Sequence, residues 1–158
     1  MIEERINFSS DGCVLALDLG DKLVGAAVTD DQRITIQRLP PLQRSNWKRL
    51  LNEVEKLIER FDARTVVIGL PLRLDGTIGS AAEEATRLAR NFAKSLKLPV
   101  YLQDERLTSF DARLALLDEG HKESEIAGLV DGEAAAIILR DFLQNIAPQR
   151  IESEDLGS

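Results

Sequence analysis

Residues with special chemistry are scarce in this chain. There is one cysteine, Cys13, and one histidine, His121. A single cysteine excludes an internal disulfide and a cysteine-rich zinc site, and beside an apolar run Cys13 reads as an inert buried thiol. A Ser-His-Asp, Cys-His or histidine-based metal mechanism would have to pass through His121, which sits in a polar segment. Any chemistry therefore falls to carboxylates. Positive charge is also short: 20 Lys and Arg against 27 Asp and Glu give a net charge of −7. Nucleic-acid binders usually draw affinity from basic side chains that displace counterions. Bound divalent cations would offset part of an acidic site, and the C-terminal ESED carries several of the negative charges. No apolar run reaches the roughly 18 residues that span a membrane. The polar start, MIEERINFSSDG, lacks both the basic end and the apolar block of a signal peptide. The expectation is a cytoplasmic protein with no membrane partner.

What is present is an ordinary globular composition, 44% apolar and 30% charged over 158 residues, the size of one domain. That domain is expected over 1–147, with 148–158 an acidic, disordered tail. Strands are predicted at 14–19 and 23–29. The second is rich in small residues, Gly25, Ala26 and Ala27, that would let another backbone approach closely. Alternation in RITIQRL predicts an edge strand over 33–39 with Ile34 and Ile36 inward, stopped by Pro40 and Pro41. Ser45 is a candidate N-cap for a helix to Phe61 with Trp47 in its apolar stripe. TVVIGL (65–70) reads as a buried parallel strand, followed by an Asp75-Gly76 turn, a helix over 80–96 and a last strand, VYLQ, at 100–103. Thr108 to Asp111 has the capping-box pattern of a short helix stopped by Gly120. Asp131 introduces a final helix over 132–145. The order β-β-β-α-β-α-β-α-α predicts an α/β fold: a three-strand meander, then parallel strands, in a five-stranded mixed sheet with helices on both faces.

Three carboxylates fall at one end of that sheet. Asp18 closes an otherwise apolar strand, where a buried charge is costly unless compensated; it is either a turn residue or a group held against a cation. Glu105 follows the last strand, and Asp131 opens the final helix, where a plain N-cap is the simpler role. Ligands of open α/β sheets gather at the carboxyl ends of the parallel strands. Carboxylates converging there would suit Mg²⁺ or Mn²⁺ rather than Zn²⁺, and two such ions could drive phosphodiester hydrolysis.

Four segments carry a resemblance: LALDLGDKLVGAAVTD (15–30), VVIGLPLRLDGTIG (66–79), DERLTSFDA (104–112) and LVDGEAAAIILRDFL (129–143). In order and spacing they are similar to the YqgF, or RuvX-like, family of RNase H-fold proteins related to the RuvC Holliday-junction resolvase. The resemblance implies an RNase H-like fold and a metal-dependent nuclease site on Asp18, Glu105 and Asp131, with Mg²⁺ or Mn²⁺ as cofactor. It implies substrate contacts from Lys22, Arg73, Arg106 and Thr108; an arginine fork suits phosphate. The implied activity is maturation of the 5′ end of pre-16S ribosomal RNA, or resolution of branched DNA. The implied partners are structured RNA and the ribosome, in a monomer or homodimer. The chain departs from the family pattern at Leu19, Leu23, the acidic and apolar ESEIAGL before Asp131, and Glu133 at a usually apolar position.

Two other readings remain open at this level. One is a catalytically weak or inactive RNase H-fold protein that binds the ribosome or the transcription machinery. The other is nucleotide binding, since DLG before a hairpin resembles the phosphate loop of the actin and sugar-kinase superfamily. That site, however, needs two such domains.

Overall fold

A computed structural model describes residues 12–71, 75, 77–104, 117–120, 123–144 and 148–151. β1 (Cys13–Leu19) and β2 (Leu23–Thr29) form an antiparallel pair with Ala16 opposite Ala27 and Asp18 opposite Gly25. β3 (Ile36–Gln43) flanks β2 antiparallel. β4 (Ala63–Leu70) lies parallel to β1 on its other side, and β5 (Val100–Asp104) parallel to β4. β6 (Pro148–Ile151) runs antiparallel to β5, giving the order β3-β2-β1-β4-β5-β6.

The sheet thus has six strands, not five, and the sixth comes from the segment expected to be a disordered tail. Ile151 packs against the core and pairs with Val100, so β6 covers the edge that β5 would otherwise expose. Pro148 takes the first position of the strand, where its missing N–H is tolerated.

β3 differs from expectation at both ends. It runs through Pro40 and Pro41 because it is an edge strand with a bulge: Val24 faces Leu42 and Ala26 faces Leu39, leaving both prolines opposite Gly25. At a bulged edge the missing donors break little of the ladder. Its start moves to Ile36 because Asp30 captures the next turn. The Asp30 carboxylate accepts from the backbone N–H of Ile34 at 2.7 Å and of Thr35 at 3.3 Å. Ile34, expected inward, is 73% exposed in that loop.

Period-2 apolar alternation sorts the sheet into two faces. Leu15, Leu17, Val24, Ala26, Val66, Ile68 and Leu102 face α1 (Trp47–Phe61) and α2 (Ser80–Ser95), which supply Leu50, Val54, Ala89 and Phe92. Trp47 meets Phe92 edge-on, with ring centroids 4.8 Å apart, in the core role its stripe predicts. The α1 cap is Asn46 rather than Ser45: its Oδ1 accepts from the Arg49 N–H at 2.8 Å. On the opposite face Val14, Ala16, Ala27, Val67 and Tyr101 meet Ala135, Ala136, Ile138 and Leu139 of α3 (Glu123–Leu143). Helices therefore cover both faces, as expected.

α3 starts eight residues before Asp131, so Asp131 is a helix-interior residue and not an N-cap. The segment ESEIAGL has no proline, places acidic residues in the first turn where the dipole favours them, and contains one glycine costing about 1 kcal/mol. Nothing in it stops a helix. The helix expected from Thr108 lies outside the described residues except for its end: 117–118 are helical, and Gly120 has φ +90°, the left-handed stop its sequence suggests. Among the described residues no helix is long and apolar enough to cross a membrane.

Candidate active site

Asp18 is a strand residue. β1 continues through it to Leu19, and alternation places it with Val14 and Ala16 on the face that carries α3. It is half-buried. Across the ladder on one side stands Gly25. One residue beyond the Leu17–Ile68 pair, Asp18 has Gly69 on its other side, and Gly69 in turn faces the buried Gln103 of β5. The Asp18 carboxylate offers hard oxygen donors of the kind a divalent cation takes.

The turn after Asp18 is held from three directions. The Gly20 N–H donates to the Leu23 carbonyl at 2.9 Å. Arg44, just beyond β3, donates from Nη1 to the Gly20 carbonyl at 2.6 Å and from Nη2 to Glu84 of α2 at 3.0 Å, while its backbone N–H donates to the Lys22 carbonyl. A side chain at position 20 would place its Cβ 2.7 Å from the Leu23 carbonyl oxygen, so this turn requires glycine. Arg87 beside Glu84, with Arg44 adding to it, holds the Glu84 carboxyl below its ordinary range. Lys22 is exposed on the same turn.

Of the other residues expected at the site, Glu105, Arg73, Arg106 and Thr108 lie outside the described residues. For Asp131 the backbone is described. The next residue, Gly132, lies against β3: an ideal Cβ there would meet the Arg38 Cβ at 3.5 Å and the Leu39 carbonyl at 3.6 Å. Leu39 faces Ala26, which faces Leu17, so this part of α3 crosses the sheet at nearly the level of Asp18. Among the described residues no three His, Cys, Asp or Glu side chains cluster as a metal site.

Residues 12–145 match the family described as RuvX: Holliday junction resolvase. The chain belongs to the RuvX family. Curated relatives provisionally named pre-16S rRNA nucleases agree along most of its length. The one from Syntrophus aciditrophicus is 36% identical over 141 residues, 89% of this chain and 94% of the relative. The one from Gloeothece citriformis is 37% identical over 142 residues, again 89% and 94%. Among solved structures, Thermus thermophilus RuvC in complex with a Holliday junction superposes with TM-score 0.54 at 16% identity, covering 88% of this chain and 99% of RuvC. The fowlpox virus resolvase bound to its junction gives 0.51 at 14% identity, covering 85% and 98%. At these identities the likeness is one of fold, and that fold is the RNase H-like one expected.

Two features of this RuvX-family chain escaped sequence reasoning. Arg44 reaches its partners across 24 and 40 residues of sequence, and no local pattern marks such a contact. Glu133 is visible in sequence only as a charge at a usually apolar position. In the fold it is 3% exposed and pairs with Arg38 of β3, Nη1 to Oε2, at 2.7 Å.

Proposed function

We propose that this protein is a divalent-metal-dependent nuclease that hydrolyses phosphodiester bonds in structured RNA, with the 5′ end of pre-16S ribosomal RNA as its substrate. The reading rests on family membership over residues 12–145 together with one observation of geometry. Asp18 stands on the face crossed by α3, at the carboxyl end of the parallel strands. Asp18, Glu105 and Asp131 would hold Mg²⁺ or Mn²⁺. A cation there supplies an activated water and charge neutralisation at the leaving oxygen.

The chain's own residues do the rest. Arg44 and Gly20 keep the turn after Asp18 in one conformation, which holds the carboxylate in place while substrate binds. Lys22 on that turn meets a backbone phosphate, and Arg73, Arg106 and Thr108 contribute further contacts. RNA binding is salt-sensitive and supported by few cations, consistent with the net charge of −7.

The first test is calorimetry with Mn²⁺ on the wild type and Asp18→Asn, beside cleavage of a pre-16S 5′-end RNA and of a four-way DNA junction. The expected result is metal binding and RNA cleavage in the wild type. Both should fall at least 100-fold in Asp18→Asn, with its thermal unfolding unchanged. Cleavage that persists in Asp18→Asn would sink the assignment of this carboxylate, and preference for the junction would replace the RNA substrate. An RNA-binding protein without turnover is the second reading. It is favoured by the pairing of Arg38 and Arg44 with carboxylates instead of open solvent, and it predicts no Mn²⁺ binding below millimolar.

A further inference from the structure

Among the described residues, Glu133 is the buried carboxylate that the functional reading leaves without a role. Its side chain is 4% exposed, and burying such a charge is costly unless a partner compensates it. The compensation comes from another element: Arg38 of β3 donates from Nη1 to Glu133 Oε2 at 2.7 Å, and Arg38 Nη2 also lies 3.4 Å from Glu119 Oε1. Arg140, two helical turns on, adds a weaker approach at 3.9 Å.

Arg38 keeps 43% of its side chain exposed, so only the carboxylate end of the pair is buried, and such a pair is a poor device for stability, because apolar residues of similar volume often do as well. Its better-attested use is to select one register. The C-terminal half of α3 has large side chains to fix its register, Ile138, Leu139 and Phe142 against Val14, Val67 and Tyr101, but the stretch next to Asp131 has few. Where it crosses β1 and β2 both surfaces are small: Ala135 and Ala136 on the helix, Ala16 and Ala27 on the strands, with Gly25 beside them. Such surfaces allow close approach but offer few large knobs to prevent a slide along the helix axis. The ion pair is directional and sits one residue beyond Gly132, where the helix backbone approaches Arg38 and Leu39. Asp131 lies two residues before Glu133, about 3 Å along the axis, so a slide of the helix carries both together.

The geometry points to Arg38 and Glu133 as a positioning pair: their contact fixes the axial register of α3 on β3 and so sets where Asp131 stands relative to Asp18. This rests on the reading of Asp131 as a metal-holding carboxylate. Errors of about 1 Å at a reacting centre can cost 100-fold, and loss of a residue that orients a metal ligand typically costs 10- to 100-fold in affinity or activity.

The test compares wild type, Glu133→Gln, and the double variant Arg38→Met with Glu133→Leu, which removes the charges but keeps apolar volume. Three quantities are read: thermal unfolding by Trp47 fluorescence, Mn²⁺ affinity by calorimetry, and kcat and KM on the RNA. The double variant is expected to unfold within a few degrees of wild type. Its Mn²⁺ affinity and kcat should fall 10- to 100-fold, with KM within twofold. Glu133→Gln should lose affinity and kcat in the same sense, and it carries the test if the double variant does not fold. A folded variant that binds Mn²⁺ and turns over like wild type overturns the inference, because packing alone then sets the register. A change confined to KM also overturns it and makes Arg38 a substrate contact. If the wild type binds no Mn²⁺ and Asp18→Asn changes nothing, the nuclease reading fails and this inference fails with it.

Discussion

Gly20 shows how a residue can be required by its surroundings without an unusual φ. The obstacle to a side chain is the Leu23 carbonyl oxygen, 2.7 Å from any Cβ, and backbone cannot swing aside as a flexible side chain can. Gly20→Ala is therefore expected to cost about 1–3 kcal/mol, measured by urea unfolding, and to lower cleavage by disturbing the turn that carries Asp18. Among the described residues, two carboxyls, the exposed Asp30 and the half-buried Glu84, are held below their ordinary range. The backbone N–H of Ile34, helped by that of Thr35, holds Asp30 below its ordinary 3.8, and Arg87 holds Glu84 below its ordinary 4.5. Both are depressed in the folded state. Their stabilisation is thus present above the unfolded values and lost as pH falls through the lower folded ones. Asp30→Ala and Glu84→Gln should lower the urea midpoint more at pH 7 than in acid below the folded values; an equal loss at both would contradict this. Cys13 titrates the other way, since burial pushes its thiol up, which keeps it unreactive at neutral pH.

Among the elements, α1 is the one whose ends are most fully explained. Asn46 is extended at φ −154° and caps the Arg49 N–H, and Asp62 closes the helix in the left-handed region at φ 52°. Asn46→Ala should cost about 1 kcal/mol, visible as a shift in denaturant midpoint with unchanged slope. β3 is set by its neighbours rather than by its own residues: it accepts two prolines because it is an edge strand whose bulge faces Gly25. For α3, the functional point is that Asp131 occupies the ninth position of a 21-residue helix. Its location is then fixed by how the whole helix lies on the sheet, not by a local cap.

At the scale of the molecule, the sheet separates two apolar layers. The larger holds Phe92, fully buried against Trp47. Phe92→Ala should destabilise by about 3–5 kcal/mol, and the single tryptophan reports it directly through fluorescence-detected unfolding. β6 closes the sheet beyond β5. Deleting 148–158 would expose the β5 edge and the partly buried Ile151 contact, at a cost of about 1–2 kcal/mol. A truncated protein as stable as the full chain would show that β6 contributes nothing to the fold.

Much of this was legible along the chain. Apolar alternation and continuous runs determined β1, β2, β4 and β5, and the 3.6-residue stripes determined α1 and α2, because local periodicity encodes which face is buried. Asp18 announced itself as a charge where apolar residues belong, and four short segments identified the family. The remainder depended on distant parts of the chain. Whether proline ends a strand depends on which edge of the sheet it meets, and whether 148–151 is tail or strand depends on the vacant edge of β5. The flanking of Asp18 by Gly25 and Gly69 is a matter of ladder register. The Arg44–Gly20 and Arg38–Glu133 contacts join residues 24 and 95 positions apart, a distance over which sequence carries no period and only the folded chain brings the charges together.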